Sequence, residues 1–144
     1  MDELVQQMKV VLASTFAFYL KAQNFHWNVE GPNFPQYHEL FKGVYEDAHG
    51  AVDEIAEHIR ALDAYAPGSM SRFSALSVVD EQLNIPEARK MIAELEQDNK
   101  IIIGALTKAQ VLAEKNGRHG LTDFLQNRIG VHDKQGWMLR ATGK

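Results

Sequence analysis

Apolar side chains in this chain recur three and four residues apart over long stretches that almost nothing interrupts. Leu4, Met8, Leu12, Thr15, Tyr19, Ala22 and His26 trace one such face, and Val5, Val11, Phe16 and Leu20 widen it. This pattern predicts a first helix running to about Trp27 and stopped by Gly31-Pro32. A second helix is expected from about Phe34 through Tyr37, Phe41, Val44, Ala48, Val52, Ile55, Ile59 and Leu62, ending near Tyr65-Ala66-Pro67-Gly68. Pro86 suits the start of a third, through Met91, Leu95, Ile102, Leu106, Ala109 and Leu112 to Asn116-Gly117. Leu121, Phe124 or Leu125, Arg128, His132 and Met138 outline a fourth that ends before Gly143. No stretch alternates with the period of a strand, so the expected fold class is all-α.

Residues 67–86 are the only long connection, and Arg72 to Val79 can form a short helix within it. A long crossover there lets the second and third helices run parallel, which is the ferritin-like variant of a four-helix bundle. At 144 residues and 45% apolar, the chain supports one domain, residues 1–144, with a sizeable core. Cysteine is absent, which excludes disulfides, thiolate zinc sites, iron–sulfur clusters and cysteine nucleophiles. Val10 to Leu20 is too short to span a bilayer, and Asp2 and Glu3 stand where a secretory signal would be basic. The expectation is a soluble, cytoplasmic protein with no membrane partner. A formal charge of −4 gives no general attraction to nucleic acid.

The second helix carries a polar stripe besides its core face. His38, Lys42, Glu46, His49, Asp53 and Glu57 follow at spacings of four, four, three, four and four. At about 100° per residue this stripe lies roughly 130° from the centre of the apolar one, so it faces outward. Most outward charge stripes are simply solvated. Here Asp53 and Glu57 are one turn apart and can present two carboxylates to one point. His38 lies near the start of this helix and His26 near the end of the one before. Imidazole and carboxylate together suit Fe(II), Mn or Zn. Glu46-Asp47-Ala48-His49 is a Glu-x-x-His, half of the pair that di-iron bundles use, but the fourth helix has no second copy. A metal centre inside the bundle is therefore not expected. A site on the outer face needs ligands from a neighbouring subunit.

Three runs, Asn24-Phe25-His26-Trp27-Asn28-Val29-Glu30-Gly31-Pro32-Asn33-Phe34, Tyr37-His38-Glu39 and Asp53-Glu54-Ile55-Ala56-Glu57, together resemble the Dps miniferritin family. The tail Gly136-Trp137-Met138-Leu139-Arg140-Ala141 is similar to the end of that family's last helix. The resemblance implies a homo-dodecameric shell of four-helix subunits. In it Fe(II) would be bound at two-fold interfaces, oxidised preferably by hydrogen peroxide, and stored as ferric mineral, with protection against oxidative damage. It implies ferroxidase activity, His26 and His38 as ligands from one subunit, and Asp53 and Glu57 as ligands from its partner. Zn or Mn could occupy the same site. Trp27 matches a family tryptophan that intercepts stray oxidising equivalents, although it also reads as a bundle-edge aromatic, as does Tyr45.

Lys42 departs from the pattern, because the family commonly has a carboxylate there. An ammonium repels a cation and cannot ligate it while protonated. This opens a second reading, a metal-sequestering or structural cage with an impaired ferroxidase site. A third is an unrelated helical interaction module, which predicts a monomer or small oligomer. Many Dps proteins bind DNA through lysine-rich extensions. None is evident here, and strong direct DNA binding is not expected. His132 lies on an apolar stripe and reads as a hydrogen-bonded packing histidine, His58 as solvated, and His119 as part of a turn.

Overall fold

A computed structural model describes all 144 residues. It is all-helical, with α1 (Asp2–Asn28), α2 (Phe34–Ala61), α3 (Met70–Leu76), α4 (Ala88–Lys115) and α5 (His119–Gly143). The four long helices form the ferritin-like bundle, and α3 sits in the crossover. Side-chain contacts fix their directions. Asn99 of α4 meets His132 of α5, while Arg89 meets Gly143, so these two run antiparallel. Asp47 of α2 meets Arg128, and His58 meets Phe124 nearer the start of α5, so α2 opposes α5 as well. It follows that α2 and α4 are parallel, as a long crossover requires.

The helix ends follow from the local chemistry. Gly31 at φ 100 and Asn33 at φ 67 turn the chain sharply between α1 and α2, and Pro35 is accommodated in the first turn of α2, where no intrahelical amide is needed. The second helix stops at Ala61, earlier than its apolar pattern, because Asp63 adopts a left-handed conformation at φ 64. The crossover helix begins at Met70 rather than Arg72, since the Ser69 hydroxyl accepts the Arg72 amide. Gly117 at φ 68 closes α4. His119 is the first residue of α5 rather than part of a turn.

The core is one apolar cluster that includes Leu4, Met8, Phe18, Phe25, Phe41, Ile55, Leu95, Ile102 and Leu125. Two polar networks are built into it. In the first, Lys21 is buried and its ammonium lies 2.8 Å from Asp98 Oδ2 and 3.4 Å from Glu94 Oε1. It also donates to the Asp80 carbonyl at 3.0 Å. Gln82 donates to both Glu94 oxygens. Burial raises the Asp98 pKa, Lys21 partly offsets this, and the nearby Glu94 and Asp80 charges raise it further. One ammonium thus fastens the crossover to α1 and α4. The Val78 amide adds a second tie, donating to Ser14 Oγ at 3.0 Å.

The second network centres on His132, which is fully buried. Its Nδ1 donates to Asn99 Oδ1 at 2.8 Å, and its Nε2 accepts from Arg128 at 3.1 Å. Arg128 makes a two-pronged pair with Asp47 at 3.0 and 2.8 Å. Burial pushes the Asp47 carboxyl up, but its hydrogen bonds and charge contact with Arg128 bring it below the ordinary value. His132 is the packing histidine its stripe position implies. Burial, assisted by the Arg128 charge, depresses its pKa to about 4. His58 differs from expectation: it is half-buried, with its ring 4.7 Å from Phe124.

Two stability predictions follow from these networks. A histidine with a folded pKa of about 4 and an ordinary value of 6.5 binds its proton more readily in the unfolded chain. Stability is therefore full above about pH 6.5 and falls as pH drops toward 4, by about 3 kcal/mol from this residue alone. Urea midpoints from pH 7 to 4 should show that slope, and His132→Gln should flatten it. Replacing Lys21 by Met strands two carboxylates and should cost about 3–5 kcal/mol. Adding Asp98→Asn should recover part of the loss in the same urea titration.

Candidate metal centre

α1 and α2 form an antiparallel hairpin, and its short connection sets their register. The connection puts His26, at the end of α1, beside His38, at the start of α2. The two imidazoles stack with centroids 3.7 Å apart and planes 16° from parallel. His26 Nδ1 lies 2.7 Å from the His38 carbonyl oxygen, and His38 Nδ1 lies 2.7 Å from the His26 carbonyl oxygen. A carbonyl only accepts, so each Nδ1 carries the hydrogen and donates it. The reciprocal pair locks both rings and leaves each Nε2 to act as a ligand. Backbone carbonyls commonly hold metal-binding histidines in this way. His26 is buried to 8% exposure and His38 is half-buried, so little freedom remains to either ring.

Asp53 and Glu57 are exposed on α2, one turn apart. They are not brought to the histidines within the chain. Fifteen residues of helix separate His38 from Asp53, about 22 Å along the axis. No three His, Asp or Glu side chains of one chain converge on a point suited to a metal. Within one chain the imidazole pair and the exposed carboxylate pair are therefore separate.

Lys42 and Glu46 lie between them and are also exposed. Lys42 Nζ is 3.7 Å from Glu46 Oε1, an ordinary one-turn surface pair. Trp27 follows His26 in sequence but is 61% exposed. It lines a cleft of about 770 Å³ with Phe16, Leu20 and Met70. Leu20 and Met70 are also exposed, as is Phe34, whose ring is 5.0 Å from His38. Of these, Phe34 borders the imidazole pair.

The site also has aromatic neighbours that the sequence pattern had assigned to a core face or a bundle edge. Tyr45 lies 5.1 Å from the His26 ring and 6.3 Å from Tyr19, and Tyr19 lies 4.7 Å from His49. A signal was present: Tyr45 follows His38 by seven residues, and Tyr19 precedes His26 by seven. Seven residues bring a helix back to nearly the same direction.

A ferritin-like domain model matches residues 5–143. The chain belongs to the ferritin-like family, in its Dps branch. A low temperature-induced protein of Nostoc sp. is 33% identical over 132 residues, 90% of this chain and 74% of the relative. The crystal structure of Dps from Staphylococcus aureus superposes with a TM-score of 0.95 at 30% identity, covering 100% of this chain and 97% of that one. A Dps protein from Vibrio cholerae, described as a member of a broad superfamily of ferritin-like diiron-carboxylate proteins, gives 0.95 at 26% identity. That match covers 99% of this chain and 90% of the other. No helix is long and apolar enough to cross a membrane.

Removing either imidazole takes away one candidate ligand and the stacking face of the other, while the backbone carbonyl that orients the remaining ring stays in place. Binding of Zn(II), as a redox-silent probe, should weaken at least tenfold in either His26→Ala or His38→Ala, read by competition with a chromogenic chelator.

Proposed function

We propose that this chain, acting as one domain, binds Fe(II) at sites shared by two-fold-related subunits and oxidises it, preferably with hydrogen peroxide. The ferric product is stored in a dodecameric shell, which limits oxidative damage in the cytoplasm. The observation that carries this reading is the reciprocal His26–His38 lock, which engages both Nδ1 atoms and leaves the two Nε2 atoms for a metal. Asp53 and Glu57 of the neighbouring copy complete the ligand set. A two-fold axis joins each imidazole pair to the other copy's carboxylates and makes two equal sites. Imidazole and carboxylate donors suit Fe(II), and Zn or Mn would compete for them.

Membership of the ferritin-like family supports iron as the substrate. The exposed Phe34 ring beside His38, together with the exposed Leu20, Trp27 and Met70 of the cleft at the end of α1, supports a covering partner, because apolar patches of this kind mark interfaces. Peroxide takes two electrons, so coupling its reduction to two Fe(II) oxidations avoids release of hydroxyl radical. Trp27, next to His26 in sequence and exposed, would intercept oxidising equivalents that escape. Direct DNA binding is not part of this reading, since the charge of −4 per chain is multiplied in a shell and repels phosphate.

Lys42 favours a second reading at the same place. Its ammonium sits one turn from His38 with only Glu46 to balance it. A second cation at the site would meet that charge, which restricts occupancy to about one ion per subunit. In its strong form this leaves a metal-sequestering cage with little ferroxidase activity.

A stoichiometric pulse of hydrogen peroxide to the Fe(II)-loaded protein under argon should oxidise iron well above the protein-free rate. The product should stay soluble. An Asp53→Ala, Glu57→Ala variant should fall to the blank, and both exposed positions should tolerate the change without loss of fold. Equal rates in protein, variant and blank would leave the cage reading. Anaerobic Fe(II) titration should saturate at about one ion per subunit, and Lys42→Asp should raise this toward two.

A further inference from the structure

The crossover after α3, residues 77–87, has almost no apolar anchor of its own. Only Val79 is buried there, while Val78, Leu83 and Ile85 are exposed. The amides of Val79 and Asn84 bond to side chains within the crossover, and only that of Val78 reaches α1, at Ser14 Oγ. What fastens the rest is charge. The Lys21 ammonium holds the Asp80 carbonyl, and Gln82 holds Glu94 at 3.0 and 2.9 Å. This segment forms one wall of the cleft of about 770 Å³, through Ser77, Val79, Asp80, Glu81 and Gln82.

The charges at this junction do not balance. The groups facing Asp98 are Lys21 from α1, Glu94 one turn earlier on α4, and Asp80 from the crossover. Glu81 lines the same cleft, and α3 lends it Met70, Phe73 and serines but no charge. One ammonium thus meets two carboxylates directly, with a third close by. Uncompensated charge is costly in a buried place, and one proton removes it. Asp98 is the carboxyl to take that proton. It is more buried than Glu94, and its one polar contact is Lys21, whereas Glu94 also accepts twice from Gln82.

We propose that residues 77–86 are a strap that closes on α1 and α4 with uptake of one proton at Asp98, so that mild acid tightens it. Lifting the strap takes the Asp80 charge away and admits water, which returns Asp98 to an ordinary carboxyl. In the closed form burial raises its pKa above 3.8, Lys21 opposes the rise, and Glu94 and Asp80 add to it. The closed strap therefore binds the proton more readily than the open one. Closure strengthens as pH falls through the raised value and levels off below 3.8. One proton can change the closing equilibrium by at most about tenfold per pH unit. His132 acts in the opposite direction, since its burial weakens the whole bundle in acid. The strap does not depend on the ferroxidase reading.

Hydrogen–deuterium exchange of the assembled protein, read by mass spectrometry and divided by the intrinsic rate at each pH, tests this from about pH 8 to pH 5. Peptides covering 77–86 should gain protection several-fold on acidification, while those of α5 around His132 should not. Asp98→Asn, neutral and of nearly the same shape, should show the acid level of protection at every pH. Glu94→Gln, which removes the excess charge at the neighbouring position, should also flatten the response. Infrared difference spectra over the same range should show the carbonyl stretch of a buried protonated carboxyl, absent in Asp98→Asn.

Protection of 77–86 that stays flat in the wild type, or falls together with α5, would overturn the strap. A pH response that persists in Asp98→Asn would do the same, by placing the proton elsewhere. Should Asp98→Asn fail to assemble, the wild-type profile and Glu94→Gln decide between the same two outcomes.

Discussion

The register of α1 against α2 is the constraint on which the site depends. Five residues, Val29 to Asn33, join the two helices, and their left-handed turns leave little choice in how the helices meet. Once His26 lies opposite His38, every pair equally far from the turn is fixed as well. Tyr19 must then face Tyr45. Shifting this register by one residue would rotate His38 by about 100° around α2 and break both carbonyl contacts together. The reciprocal hydrogen bonds are therefore evidence about the turn as much as about the histidines.

The same register explains why the imidazoles are held by backbone rather than by carboxylates. The His26 carbonyl lies in the last turn of α1, where carbonyls lose their intrahelical partners and can accept from a side chain. His26 reaches the carbonyl of His38, the fifth residue of α2, and His38 reaches that of His26 in the last turn of α1. A neutral acceptor fixes ring orientation without adding negative charge. The carboxylates that would balance a cation lie elsewhere on the chain.

Much of the fold was legible in the sequence because helical periodicity is a local signal and the breaks at Gly31-Pro32, Pro67-Gly68 and Asn116-Gly117 are unambiguous. The outward direction of the stripe from His38 to Glu57 was legible for the same reason, since angle follows from spacing. What one chain's sequence did not show were contacts between helices distant in sequence. Lys21 on an apolar face gives no hint that it meets Asp98 and Glu94. Arg128 looked like one more position on the fourth stripe, yet it bridges His132 and Asp47. The end of α2 was misjudged because the apolar pattern continues to Leu62, whereas the backbone is decided by the conformation of Asp63. Tyr19 and Tyr45 were readable as neighbours of the histidines only with the hairpin register in hand.

The separation of the half-sites has a consequence for assembly. An imidazole pair at the turn of the α1–α2 hairpin and a carboxylate pair about 22 Å further along α2 cannot close on the same ion by bending. Under the proposed function, the complete ligand set exists only in the assembled dimer. Each ion bound then stabilises the dimer over the separated chains by mass action. Each half-site alone has only two donors on one side, which is poor coordination for a divalent cation. Metal affinity and subunit association become two expressions of one free energy. Lys42 lowers both, because its charge opposes the cation that would bridge the two copies. A carboxylate there would strengthen the bridge, at the cost of bringing more like charge to an interface when metal is scarce. The ammonium would remove that penalty and make the empty interface easier to form, and the exposed apolar side chains around Trp27 would supply association that does not depend on metal, were they part of it. A shell held together first by apolar contact and only secondarily by its cargo can load and release iron without falling apart.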